Sequence, residues 1–305
     1  MGIEVRFVDP ADPQAFAEAT DEKTRAYYAE TLPNPKLNVF PIREVADVAH
    51  ARGIPLIMDN TAAPVLCRPL DHGADIIVYS CTKYLGGHGT SLGGLIVDGG
   101  TFDWAAHADR FPLLAQPDPS YHGVIWTDEV QDIGPIAYHL RQRVVQLRDL
   151  GAAMSPFNAW QIIQGLETLP LRIRAHSDNA ARIADYLGRH SKVEKVIHPA
   201  HQEGESRRRA DACMKGGYGG LVGFELKGGE EAGKRFIDSL ELVYHLANIG
   251  DARTLAIHPA STTHQQLDPE EQKAAGVTPG YVRLSVGLEH VDDIIADLEQ
   301  ALEKA

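Results

Sequence analysis

Two short apolar runs, Ile54-Pro-Leu-Ile-Met-Asp59 and Asp75-Ile-Ile-Val-Tyr-Ser80, each stop on a polar residue, and together they restrict the folds open to this chain. Runs this short and this continuously apolar predict strands of a sheet covered on both faces, the pattern of parallel sheets. In open α/β sheets, ligands sit beyond the carboxyl ends of the parallel strands. One strand end would then present Asp59, and the next Ser80, Thr82 and Lys83, followed by Gly86, Gly87 and Gly89.

The rest of the chain is compatible with such a sheet. Its 305 residues suffice for two domains, because single cores seldom grow much beyond roughly 250 to 300 residues. We expect a large domain over 1–150 and a smaller α/β domain over 151–305. The first would contain a period-2 strand over 3–8, a helix opening near Pro41 and ending at Gly53, the two apolar strands, and a further strand over 93–97. Residues 101–136 carry aromatics, prolines and histidines without periodicity and read as a long excursion. Helices are expected over 137–150, 158–165, 170–189, 230–240 and 291–302, and strands over 193–197, 221–226 and 281–286. The run Arg207-Arg-Arg209 reads as a solvated loop or helix face.

A net charge of −13 argues against nucleic acid as a partner. Cys67, Cys81 and Cys213 are odd in number and widely spaced, which fits reduced thiols rather than a disulfide frame or zinc site. No apolar run approaches the ~20 residues of a membrane helix. The expectation is a cytoplasmic protein acting on small molecules.

A lysine after a strand is usually only a surface residue, but the neighbours of Lys83 alter that reading. Ser80 and Thr82 add hydroxyl donors, and the glycines let backbone approach a phosphate closely. A P-loop fails on order, because there the glycines precede Lys-Ser/Thr, whereas here Thr82-Lys83 precedes them. An amine and a carboxylate at neighbouring strand ends suit pyridoxal phosphate. The lysine can carry it as a Schiff base, and the acid can keep its ring nitrogen protonated so that the ring accepts electrons.

The chain resembles the pyridoxal-phosphate enzymes of cysteine and methionine metabolism. The likeness lies in Glu30-Thr-Leu-Pro-Asn-Pro35, Asp59-Asn-Thr61, the stretch from Gly73 to Gly89, Phe102-Asp-Trp104, Pro119-Ser-Tyr-His-Gly123, Ser155-Pro-Phe-Asn158, Gln164-Gly-Leu-Glu-Thr-Leu169, Asn248-Ile-Gly-Asp-Ala252, His258-Pro-Ala-Ser-Thr-Thr-His264 and Arg283-Leu-Ser-Val-Gly-Leu-Glu289. The segments from Phe102 to Gly123 and from His258 are similar to the sulfhydrylase branch. The resemblance implies a transferase of fold type I, with a mainly parallel sheet, helices on both its faces and a smaller C-terminal α/β domain. It implies that Lys83 holds the cofactor, Asp59 pairs with the ring nitrogen, and Ser80 and Thr82 bind phosphate. Asn34 would lie near the cofactor's phenolic oxygen and the substrate, Arg283 would grip the substrate α-carboxylate, and Thr254 would face the substrate. His258 and His264 receive no chemical role.

The reaction implied is γ-replacement on an amino-acid ester by sulfide or a thiol, in a homo-oligomer. Cystathionine γ-synthase and methionine γ-lyase chemistry are the neighbouring alternatives. Family members carry more chain before the point matching Met1, including further phosphate contacts and a tyrosine stacked on the ring. A truncated, inactive homologue serving as a structural or partner-binding subunit is therefore a second class of expectation.

Overall fold

The computed structural model describes residues 2–305. Two sheets organise the chain. The first has the order β1-β2-β3-β4, from β1 (Tyr27–Glu30), β2 (Leu56–Asp59), β3 (Ile76–Ser80) and β4 (Gly94–Asp98). The pairs β1–β2 and β2–β3 are parallel, and β4 returns antiparallel to β3. The second has the order β5-β6-β9-β8-β7, from β5 (Val193–Ile197), β6 (Leu221–Leu226), β7 (Tyr244–His245), β8 (Leu255–Ile257) and β9 (Tyr281–Ser285). It is antiparallel except where β7 joins β8.

Helix α1 (Pro13–Glu18) packs against α2 (Ile42–His50), whose buried Ile42, Val45, Ala46 and Ala49 form one stripe against the first sheet. That face of the sheet carries Tyr27, Leu56 and Met58, all in the same core as the α2 stripe. The opposite face carries Ile57 and Ile76, and the 101–136 excursion closes over it with Phe102, Trp104, Phe111, Leu114 and Trp126. Asp118 anchors the excursion by accepting from Ser120 N and, at 3.0 Å, from Trp126 Nε1. The excursion holds only a one-turn helix, α3 (Pro112–Ala115), and a 3-10 turn. The helical run that follows comprises α4 (Ala137–Arg141), a π-helical stretch over Gln142–Leu147, and α5 (Arg148–Leu150).

Helix α6 (Pro156–Glu167) leads into α7 (Leu169–Leu187), which joins the two cores. Ile162 of α6 and Ile173 of α7 pack into the first core, while Ala180, Ile183, Ala184 and Leu187 pack into the second. The second core is completed by α9 (Gly229–Asp238) and α11 (Val291–Lys304) around the larger sheet, with Phe236, Ile294 and Leu298 fully buried, while α8 (Gly204–Cys213) packs Ala210 and Cys213 into the first core and α10 (Pro269–Ala275) buries no side chain. Within α11 the buried Asp297 accepts the backbone N–H groups of Glu241, Leu242 and Val243. Among the described residues, no helix is long and apolar enough to cross a membrane.

The expected strand over 3–8 is absent. Ile3, Val5 and Phe7 are exposed, and no strand pairs with this segment, whose Arg6 is instead tied to Asp21 and the Ala19 carbonyl. Alternating apolar residues make a strand only where a ladder partner and a covering face exist. The basic run Arg207-Arg-Arg209 lies on α8, its charges matched by Asp211, Glu205 and Glu44.

Candidate active site

The carboxyl ends of β1, β2 and β3 open on one edge of the first sheet, and the chemistry-bearing residues cluster there. In the parallel register Glu30 lies beside Asp59, and Asp59 beside Val78, so Asp59 and Ser80 project from the same face. The Asp59 carboxylate is oriented from two sides. Its Oδ1 accepts the Thr61 N–H at 2.9 Å, and its Oδ2 accepts the Tyr28 phenol at 3.2 Å. Burial, with the Asp59 charge behind it, pushes the Tyr28 phenol up to about 12 and raises the Glu30 carboxyl. Thr61 also accepts the Ser80 N–H at 2.8 Å, which locks the ends of β2 and β3 together.

Lys83 follows β3 on a helix-like turn in which the Lys83 and Gly87 N–H groups donate to the Ser80 and Lys83 carbonyls. Its ammonium donates to Asn248 Oδ1 at 2.5 Å. The Asn248 carbonyl in turn accepts from Arg283 Nη2 at 2.8 Å. One residue thus bridges an amine from the first sheet and a guanidinium from β9 of the second. Burial, and then the nearby Arg283 charge, lower the Lys83 pKa, so its neutral form is more accessible than that of a surface lysine. Arg283 is only 5% exposed, and its Nε has no hydrogen-bond partner. A buried, half-satisfied guanidinium is a ready seat for a carboxylate. His264 lies within the field of the same guanidinium, and burial with that charge lowers its pKa.

The other expected residues are less alike. Ser80 is half-buried, and its hydroxyl makes no hydrogen bond among the described residues. Thr82 is engaged with Gly93, accepting its N–H at 3.2 Å. Asn34 follows the end of β1 with its backbone N–H on Glu30 and its side chain exposed. Thr254 is placed differently from the expectation of a substrate-facing residue. It is fully buried, its hydroxyl donates to Glu289 and accepts the Gly287 N–H, and both hydrogen-bonding capacities are therefore used inside the protein. His258 bridges Ser261 and the Pro279 carbonyl, a structural role.

This donor set fits pyridoxal phosphate. It offers an amine of lowered pKa, an oriented carboxylate at the neighbouring strand end, an unengaged hydroxyl at the end of β3, and an orphaned guanidinium nitrogen able to meet an anion. Residues 1–303 match the family model described as the Cys/Met metabolism PLP-dependent enzyme. The chain belongs to this family.

Among its relatives in the family is the O-acetyl-L-homoserine sulfhydrylase of Leptospira meyeri, 55% identical over 310 residues that cover 99% of this chain and 70% of the relative. The homocysteine synthase of Schizosaccharomyces pombe is 47% identical, covering all of this chain and 71% of its own length. A crystal structure from Campylobacter jejuni, described as an O-acetylhomoserine (thiol)-lyase, superposes with a TM-score of 0.92 at 40% identity, covering 99% of this chain and 71% of that one. It contains a pyridoxyl-lysine monophosphate. Family membership makes pyridoxal phosphate the cofactor, and the likeness makes the fold that of the type I enzymes.

Asn248 and Tyr28, which contact Lys83 and Asp59, are the candidate side chains that sequence reasoning missed. Asn248 lies in a stretch that resembles the family, but its contact with Lys83 spans 165 positions of sequence. Tyr28 was hidden because β1 itself was not predicted.

Proposed function

We propose that this chain catalyses a γ-replacement in which O-acetylhomoserine exchanges its acetate for sulfide or a small thiol, giving homocysteine or a thioether, with acetate released. The observation that carries the reading is the bridge at Asn248, which holds the Lys83 amine and the Arg283 guanidinium on either side of one residue. The names of the similar proteins support this donor and acceptor over cystathionine γ-synthase or methionine γ-lyase chemistry.

Bound at this edge, pyridoxal phosphate supplies an electron sink for charge developing on the substrate carbons. The protein's share is binding, orientation and proton movement. Lys83 anchors the cofactor. Asp59, held by Tyr28 and Thr61, would pair with its ring nitrogen, and Ser80, with Thr82 beside it, would hold the phosphate. Asn34 offers a neutral amide toward the phenolic oxygen. Arg283 binds the substrate α-carboxylate as a planar fork, which fixes the α-carbon relative to Lys83 Nζ. The lowered pKa then suits the Lys83 amine to accept the α-proton and return a proton along the substrate. Thr254 acts at a distance, holding Glu289 against the loop that bears Asn248.

We further place the protein in a homo-oligomer and in the cytoplasm, where its three buried unpaired cysteines stay reduced. Purified protein loaded with pyridoxal phosphate should release acetate from O-acetylhomoserine only when sulfide is present, with equimolar homocysteine, and Lys83→Ala should release none. A 2-oxo acid formed without sulfide would favour the lyase reaction, and cystathionine formed with cysteine the synthase. A loaded protein inert in all three assays would favour the inactive homologue.

A further inference from the structure

We propose that Arg172 is a positioning residue for Lys83, acting through the backbone of the turn that carries it; this rests on the reading of Lys83 as the cofactor lysine. Arg172 lies on α7 and is 6% exposed, and among the described residues no carboxylate pairs with it. Its two terminal nitrogens go to main-chain carbonyls instead, and its Nε to a hydroxyl. Nη1 reaches Tyr84 O at 2.8 Å, Nη2 reaches Gly165 O at 2.6 Å and Leu85 O at 3.3 Å, and Nε reaches Thr168 Oγ1 at 3.1 Å.

Tyr84 and Leu85 directly follow Lys83, and their carbonyls lie toward the C-terminal, electronegative end of its turn. A guanidinium set there satisfies carbonyls that no helical N–H reaches and complements the local dipole. It also ties the turn to the carbonyl of Gly165 near the end of α6. Burying an unpaired cation is costly, and an apolar side chain of similar volume would fill the same space at lower cost. Packing alone therefore does not account for an arginine here.

The surroundings are shaped to admit it. A Cβ at Gly87 would fall 2.3 Å from Arg172 Nη1, and one at Gly165 would fall 2.4 Å from the Gly86 carbonyl oxygen. A Cβ at Gly165 could not be accommodated without displacing the turn, and one at Gly87, whose φ of +75° already favours glycine, would push the guanidinium from its place. One helical turn beyond Arg172, His176 Nδ1 donates to Val286 O at 2.7 Å, directly after β9, and its ring meets the Tyr84 ring edge-on. The first turns of α7 thus hold both the Lys83 turn and the strand of Arg283. Arg172 sets the distance between the amine that moves the proton and the guanidinium that holds the substrate.

The test compares wild-type holoenzyme with Arg172→Met, Arg172→Lys and Gly165→Ala. Cofactor loading is read by visible absorbance, and kcat and KM are measured for O-acetylhomoserine. Arg172→Met removes the grip but keeps apolar volume, so it should fold. Its kcat should drop by about 100-fold, the scale of a displacement near 1 Å at the reacting atoms. Its KM should shift by less than about threefold, because Arg283 remains, and its affinity for pyridoxal phosphate should weaken. Arg172→Lys should recover part of kcat. Gly165→Ala, which pushes the turn without touching the charge, should reproduce the kcat loss if Arg172→Met does not fold. A loaded Arg172→Met or Gly165→Ala enzyme with wild-type kcat and cofactor affinity would overturn the inference. A wild-type protein that takes up no cofactor would overturn the reading beneath it.

Discussion

Lys83 and Arg283 are two cations facing one backbone segment, and their roles diverge because burial and fixed partners treat them differently. Arg283 keeps its charge at any working pH and has an orphaned Nε, which suits it to the anion-binding role proposed for it. Lys83 has its charge destabilised by burial and by Arg283, which suits it to the proton exchange proposed for it. Replacing Arg283 with Lys keeps the charge but loses the fork. Steady-state kinetics should show KM for the amino-acid substrate rising by about 10- to 100-fold, with a smaller change in kcat. Asp59→Asn should lower kcat with cofactor still bound, because an amide cannot hold the ring nitrogen's proton as a carboxylate does. At this scale the placement of Lys83, Asp59 and Ser80 at neighbouring strand ends was legible, since each sits at the end of an apolar run and the chemistry of a strand end is local. Asn248 and Arg172 were not. They reach the lysine turn from 165 and 88 positions away, and no periodicity encodes such a meeting.

At the scale of elements, legibility followed the strength of the pattern. Strands β2, β3, β5, β6 and β9 and helices α2, α7 and α11 announce themselves by continuous or periodic apolar residues. Strand β8 has only three residues, and α10 has no buried face, being opened by a capping box between Asp268 and Glu271 and closed at Gly276. Strand β1 reads Tyr-Tyr-Ala-Glu and owes its form to pairing with β2. The apolar alternation over 3–8 misled for the converse reason, since it has no neighbouring strand. Helix α11 carries a testable element-level device in Asp297, whose carboxylate collects three N–H groups of the 241–243 loop. Asp297→Ala should destabilise the protein by about 2 kcal/mol in urea unfolding, with Asp297→Asn losing less.

Over the whole molecule, α7 links the two cores, and two buried histidines, one on α7 and one directly after β5, make the protein acid-sensitive. His176 and His198 are almost wholly buried, and burial pushes each down to about 4 from an ordinary value near 6.5. The unfolded chain therefore takes up these protons first. Stability from this source is complete above pH 6.5 and is lost as pH falls toward 4. The urea midpoint should decline across that window, and His198→Gln should flatten the decline. The loop bearing Asn248 meets the Lys83 turn beyond the ends of β1, β2 and β3, and the central claim is that this edge holds pyridoxal phosphate on Lys83. Borohydride reduction of the protein with pyridoxal phosphate, followed by peptide mass spectrometry, tests it most directly. The account predicts a single pyridoxyl adduct on Lys83, abolished by Lys83→Ala; an unlabelled protein, or an adduct that persists on another lysine in that variant, would contradict it.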